Sequence, residues 1–221
     1  MSHTIVESVP NNIQSPREEF LNALTHGVGA LLSLLGFALL VNVTHQSGDP
    51  WGLASVIVFG CSLTLLYTTS TVYHALPVGS LKELFRRFDH MVIYLLIAGT
   101  YTMMSLTVLR EESIGWVVLG VQWSLAALGI TMKSVFGPDR FNLLSTLGYV
   151  VMGWMVLLCL DELLLNLPEP ALFFLIAGGA SYTLGVPFFL MDQSKKFFHS
   201  IWHLFVMCGS ICHFLMAWSL F

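Results

Sequence analysis

Residues 197–220 read FFHSIWHLFVMCGSICHFLMAWSL, and this stretch decides the class of fold. It holds no Asp, Glu, Lys or Arg. As a helix rising ~1.5 Å per residue it is about 36 Å long, enough to cross a hydrocarbon layer ~30 Å thick. Yet it contains His199, His203 and His213, groups that are costly in lipid. Six further apolar stretches of spanning length lie at roughly 20–43, 51–75, 88–108, 114–132, 141–160 and 170–190. Of 221 residues, 56% are hydrophobic and 10% charged, where a soluble domain carries about 25% charge. The mean hydropathy is +0.77. These values exclude an ordinary soluble domain, and 16 Phe with 6 Trp exclude disorder. Nine Lys plus Arg at a net charge of −4 supply no basic surface for nucleic acid. Strand-like alternation is absent, which argues against a β-barrel. The expectation is an all-α polytopic membrane protein with seven transmembrane helices in residues 18–221, behind a polar tail at 1–17. Its location would be the plasma (bacterial inner) membrane, with membrane lipids as its partners.

The boundaries of these stretches carry helix punctuation. Ser15-Pro16-Arg17-Glu18 reads as a capping box with Pro at the first helical position. Asp49-Pro50 and Pro168-Glu169-Pro170 open the second and sixth stretches in the same way. Ser80 and Glu83 have capping-box spacing and predict a short interfacial helix ahead of span three. The first span is too long for a signal peptide and follows Glu18 and Glu19 rather than a basic region, so it is read as retained. Eight positive residues (Arg17, Lys82, Arg86, Arg87, Lys133, Arg140, Lys195 and Lys196) fall on one side of this topology, and only Arg110 on the other. The positive-inside rule then puts the N-terminus in the cytoplasm and the C-terminus outside. Cys61, Cys159, Cys208 and Cys212 all fall within spans and read as buried thiols. Ala177, Ser181 and Gly185, with Gly178 and Gly179 nearby, read as a close-packing stripe.

Against this background the ionisable and polar residues inside spans stand out. Glu18, Asn22 and His26 are each four apart, as are Ser70 and His74; Asp89 and His90 open span three. With odd-numbered spans starting at the cytoplasm, His26, His74, Asp89, His199 and His203 fall at one depth near that leaflet. His199 and His203 are one turn apart, about 40° around the helix, and can bind one metal from one face. His213 is about 15 Å further along the axis, too far to share the ion. A third ligand must come from another helix, and His74 is the best-placed imidazole. Three histidines with a fourth position open is the pattern of a catalytic zinc site. Asp89 would then hydrogen-bond the attacking water, and Ser70 would orient that water or a substrate oxygen. The plain alternatives are a helix-packing His26, an H-x3-H pair arising by chance, an interfacial His90 and basic pairs acting as topology signals.

These residues resemble a known family. Ser70-x3-His74, Asp89 and His199-x3-His203 match the three-part signature of the CREST superfamily, which includes alkaline ceramidases and the progestin and adipoQ receptors. The chain is most similar to the bacterial branch of that group, the hemolysin III family. Glu18-x3-Asn22-x3-His26-Gly27, Phe88-Asp89-His90, the Tyr94–Thr102 run and Cys212-His213-Phe214 extend the likeness from about residue 18 to 221. One departure is Met103, where the family commonly has Pro. The resemblance implies a seven-helix fold and zinc held by His74, His199 and His203, with Asp89 and Ser70 holding the water. For Glu18, Asn22 and His26 it implies support behind the ligands or helix packing.

Three readings of function follow. The first is a zinc-dependent hydrolase of an amide or ester in a membrane lipid. The second is a non-enzymatic sensor or receptor-like protein in which zinc is structural. A third, the cytolysin of the family name, would need a pore, but no polar stripe runs through the whole membrane thickness and the ionisable residues cluster on one side.

Overall fold

A computed structural model describes residues 14–221. Most of the 1–17 tail, including His3, lies outside the described residues. Among those described there are only helices. They are α1 (Pro16–Ser47), α2 (Pro50–Ala75), α3 (Ser80–Leu106), α4 (Ser113–Phe136), α5 (Asn142–Trp154), α6 (Leu160–Asn166), α7 (Glu169–Met191) and α8 (Phe198–Trp218). A 3₁₀ segment, Met155–Cys159, joins α5 to α6 into one long element. Six of the resulting seven helical segments are long and apolar enough to cross a membrane. The exception by composition is α3, whose first turns carry Lys82, Glu83, Arg86, Arg87 and Asp89. Its second half, from Thr100 to Leu106, is buried throughout.

The helix starts follow the sequence in most places. Ser15 and Glu18 form the reciprocal capping box ahead of Pro16. The Asp49 carboxylate accepts from the N–H groups of Trp51 and Gly52 at 3.1 Å each, and Pro168 precedes α7. Ser80 and Glu83 differ: Ser80 is the first helical residue, one position too late to cap, and Gly79 stands at the cap without a side chain. The Glu83 carboxylate pairs with Arg86 instead. No separate interfacial helix forms, because α3 runs unbroken from Ser80.

The burial pattern of α1 is inside-out. Its buried stripe is Glu18, Asn22, His26, Gly29, Ser33, Gly36, Leu40 and Thr44, whereas Phe20 and Leu31 are 65% and 71% exposed. Small and polar residues thus face the neighbouring helices and large apolar ones face outward, as a lipid surround demands. In the bundle α1 packs on α2 and α8, α2 on α3, α3 on α4, and α7 on α8. The α5 element packs only sparsely against α3, α4 and α7. Ser181 donates to the Phe205 carbonyl at 2.8 Å, and Gly185 lies against Trp202, so the small-residue stripe of α7 is the α8 contact. The four cysteines are unpaired. Only Cys159 is buried, bonded to the Val156 carbonyl; Cys61 and Cys208 lie exposed on outward faces, contrary to the expectation for all four.

Candidate metal centre

The centre forms where the end of α2 meets the start of α8. His74 sits in the last turn of α2, and His199 and His203 in the first two turns of α8. One ligand nitrogen from each lies within 4.8 Å of the other two. Three donors at ~2.1 Å from a common ion would stand about 3.4 Å apart, so the cluster needs to close by at most about 1.4 Å. His74 and His203 are buried and His199 is partly so.

Each imidazole is held from behind through Nδ1. His74 Nδ1 meets Glu19 Oε2 of α1 at 2.8 Å. His199 Nδ1 meets Asp192 Oδ2, in the α7–α8 loop, at 2.6 Å. His203 Nδ1 lies 3.1 Å from the Thr25 hydroxyl, which itself donates to the Leu21 and Asn22 carbonyls. A carboxylate can only accept, so Nδ1 carries the hydrogen in His74 and His199. That leaves Nε2 as the free lone pair. Among the described residues His74 Nε2 and His199 Nε2 are buried and have no hydrogen-bond partner. A metal ion fits this donor set.

Glu18, Asn22 and His26 hold α8 rather than the imidazole nitrogens. Glu18 accepts from the Phe197 N–H at 2.7 Å, and Phe197 has a left-handed backbone with φ 62° at the start of α8. Asn22 accepts from the Ser200 hydroxyl. His26 stacks on His203 with centroids 3.4 Å apart. Rising positions along α1 thus meet rising positions along α8, so the two helices run parallel here. The support for His74 comes from Glu19, one residue on from Glu18. Glu19 also takes Lys82 Nζ at 3.1 Å, and Lys82 donates to the Tyr73 and Leu76 carbonyls at the end of α2. No sequence signal marks Glu19, Thr25 or Asp192, since each is linked to its histidine only by the fold.

Two cavities, each about 370 Å³, meet at His199, and one of them also reaches His203. One is a polar vestibule lined by Glu18, Glu19, Arg86, Asp139, Asp192 and Lys195 among others. The second is an apolar chamber whose walls include Leu66, Ile93, Met104, Leu172 and Val206. Asp89, His90, Phe189 and His199 line both. Ser70 is on the chamber wall, with its buried hydroxyl unpartnered among the described residues. His90 also lies at this junction, next to Phe189. Leu157 of the 3₁₀ segment and Ile176 of α7 also line the chamber, and they are 55% and 57% exposed. The chamber therefore opens sideways between the α5 element and α7, where packing is sparse. His213 lines it further along α8, away from the cluster.

The model of the haemolysin-III-related family matches residues 14–214. The chain belongs to that family. It is 40% identical to Hemolysin-3 of Bacillus cereus over 210 residues, covering 95% of this chain and 94% of that one. It is 39% identical to the Hemolysin-3 homolog of Bacillus subtilis (strain 168) over 198 residues, or 90% and 92% of the two chains. The Monocyte to macrophage differentiation factor of Homo sapiens is 29% identical over 209 residues, or 91% and 84%. No solved structure matches. As a haemolysin-III-related chain with six membrane-length apolar helices, this is a multi-pass integral membrane protein.

Proposed function

We propose that this haemolysin-III-related protein is a zinc-dependent hydrolase of amides or esters in membrane lipids. The observation that carries the reading is the position of the histidine cluster: His199 lines both the polar vestibule and the chamber that opens sideways among apolar helices, and His203 lines the chamber. Water reaches the junction from one cavity and an acyl chain from the other. His74, His199 and His203 would hold the ion, leaving a fourth position open as catalytic zinc sites do. Zinc, when bound, supplies a Lewis acid that brings the pKa of a water toward about 7. Asp89, which faces both cavities, would take the proton as the water oxygen attacks the carbonyl carbon. It would then return that proton to the amine or alkoxide leaving as the C–N or C–O bond breaks. Ser70 would donate to the developing oxyanion. In the same reading α3 is a seventh span, its polar start shielded by α1 and α2, and the vestibule faces the cytoplasm. The eight positive residues grouped on that side support this orientation.

The test is elemental mass spectrometry of purified protein, followed by a lipid screen. About one zinc per chain is expected in wild type, lost in His203→Ala and kept in His213→Ala. The zinc-loaded protein should then release fatty acid from a lipid amide or ester, and Asp89→Asn should not. Folded, zinc-loaded protein that leaves every amide and ester intact would replace this reading with structural zinc tying α2 to α8.

A further inference from the structure

His26 has no polar partner among the described residues, although it is only 4% exposed and both of its ring nitrogens are buried. A neutral imidazole carries one N–H donor and one acceptor, and burying them unpaired is unfavourable. Its neighbours offer nothing. One face is stacked on His203, with the rings 9° from parallel and their centroids 3.4 Å apart. Tyr67 meets the ring edge-on at 5.0 Å, brought close because Gly29 has no side chain to hold it off. The Tyr67 hydroxyl is already spent on Ser210 and the Val206 carbonyl.

Nor does His26 belong to the histidine cluster. The nitrogens that lie within 4.8 Å of one another are those of His74, His199 and His203, and His26 presents its ring face, not a nitrogen, to His203. What remains for the ring is the apolar chamber, whose wall it forms together with Ser70. No Lys or Arg lines that chamber among the described residues.

We infer that His26 is a ligand-contact residue that pairs with an uncharged hydrogen-bonding group, a hydroxyl or a carboxamide, on the amphiphile in the chamber. This rests on the reading that the chamber holds a lipid chain. It adds that the polar group next to the chain is recognised by a second imidazole beside the metal ligands.

The experiment measures equilibrium binding of radiolabelled decan-1-ol, which has no acyl bond to hydrolyse, to zinc-loaded protein in nanodiscs. Wild type should bind it. His26→Phe keeps a ring against His203 and Tyr67 but has no nitrogen, and should lose about tenfold in affinity. His26→Gln, which restores a donor and an acceptor, should recover part of it. Zinc content in His26→Phe should match wild type, and its unfolding temperature without ligand should be unchanged or higher, because an unpaired buried group has been removed. Equal decan-1-ol binding by wild type and His26→Phe overturns the inference and leaves the chamber reading standing. Loss of zinc makes His26 a support of the metal centre, and a lower ligand-free unfolding temperature makes it a packing residue; either overturns the inference. Wild type that does not bind decan-1-ol overturns the chamber reading and the inference together.

Discussion

Glu19 serves His74 more than it serves the helix it begins. Its carboxylate fixes the hydrogen on Nδ1 and the direction of Nε2, and Lys82 keeps that carboxylate from swinging into the vestibule. Supports of this kind typically contribute ~10–100-fold in metal affinity. Glu19→Gln should therefore weaken zinc binding by about that factor in competition with a chromophoric chelator, with the fold unchanged. Unchanged affinity would reduce the contact to a surface pair. The three imidazoles were legible because His74, His199 and His203 are ionisable residues in apolar runs, two of them one turn apart. Their supports were not. Glu19 reads as an ordinary acid in a first turn, where the helix dipole favours it. Asp192 reads as part of a charged loop, and Thr25 as a hydroxyl bonded back to its own helix. For Glu18 and Asn22, the turn spacing revealed which face of α1 is polar but not that α8 is what it grips.

At the scale of an element, the α5–α6 segment shows where the sequence is silent. An apolar run ending near residue 160 predicts one straight span, and no Pro interrupts it. The segment instead passes through the 3₁₀ turn at Met155–Cys159 and continues to Asn166. Interruptions of an α ladder release backbone groups that lipid cannot satisfy. Tyr101 of α3 takes them up, its hydroxyl donating to the Gly153 carbonyl at 2.8 Å and accepting from the Val156 N–H at 2.6 Å. Tyr101→Phe should thus lower the unfolding free energy by about 1–3 kcal/mol, measured by steric trapping in bicelles. A loss near zero would mean that the turn keeps its shape without the hydroxyl. Met103 needs no Pro-like kink around it: it is fully buried in an unbroken helix, under the Ser55 hydroxyl.

For the whole molecule, the parallel pairing of α1 with α8 and the ion pair from α1 to the start of α3 gather four helix ends on one face. In the proposed orientation that face is the cytoplasmic one. On a background without Cys61, Cys159, Cys208 and Cys212, Arg87→Cys should react with a membrane-impermeant maleimide in inside-out vesicles only, and Glu111→Cys in right-side-out vesicles only. The reverse labelling would invert the topology. The same gathering of ends bears on how the protein is made. His199 follows His74 by 125 positions in the chain, an interval of about 6–25 s at a translation rate of ~5–20 residues per second. Through that interval the ribosome has not yet delivered two of the three imidazoles, and the early hairpin must wait in the bilayer with an acid and a base inside it. The Glu19–His74 contact lies wholly within that hairpin, so the nascent chain can neutralise its own polar pair until the partner helix emerges to complete the centre.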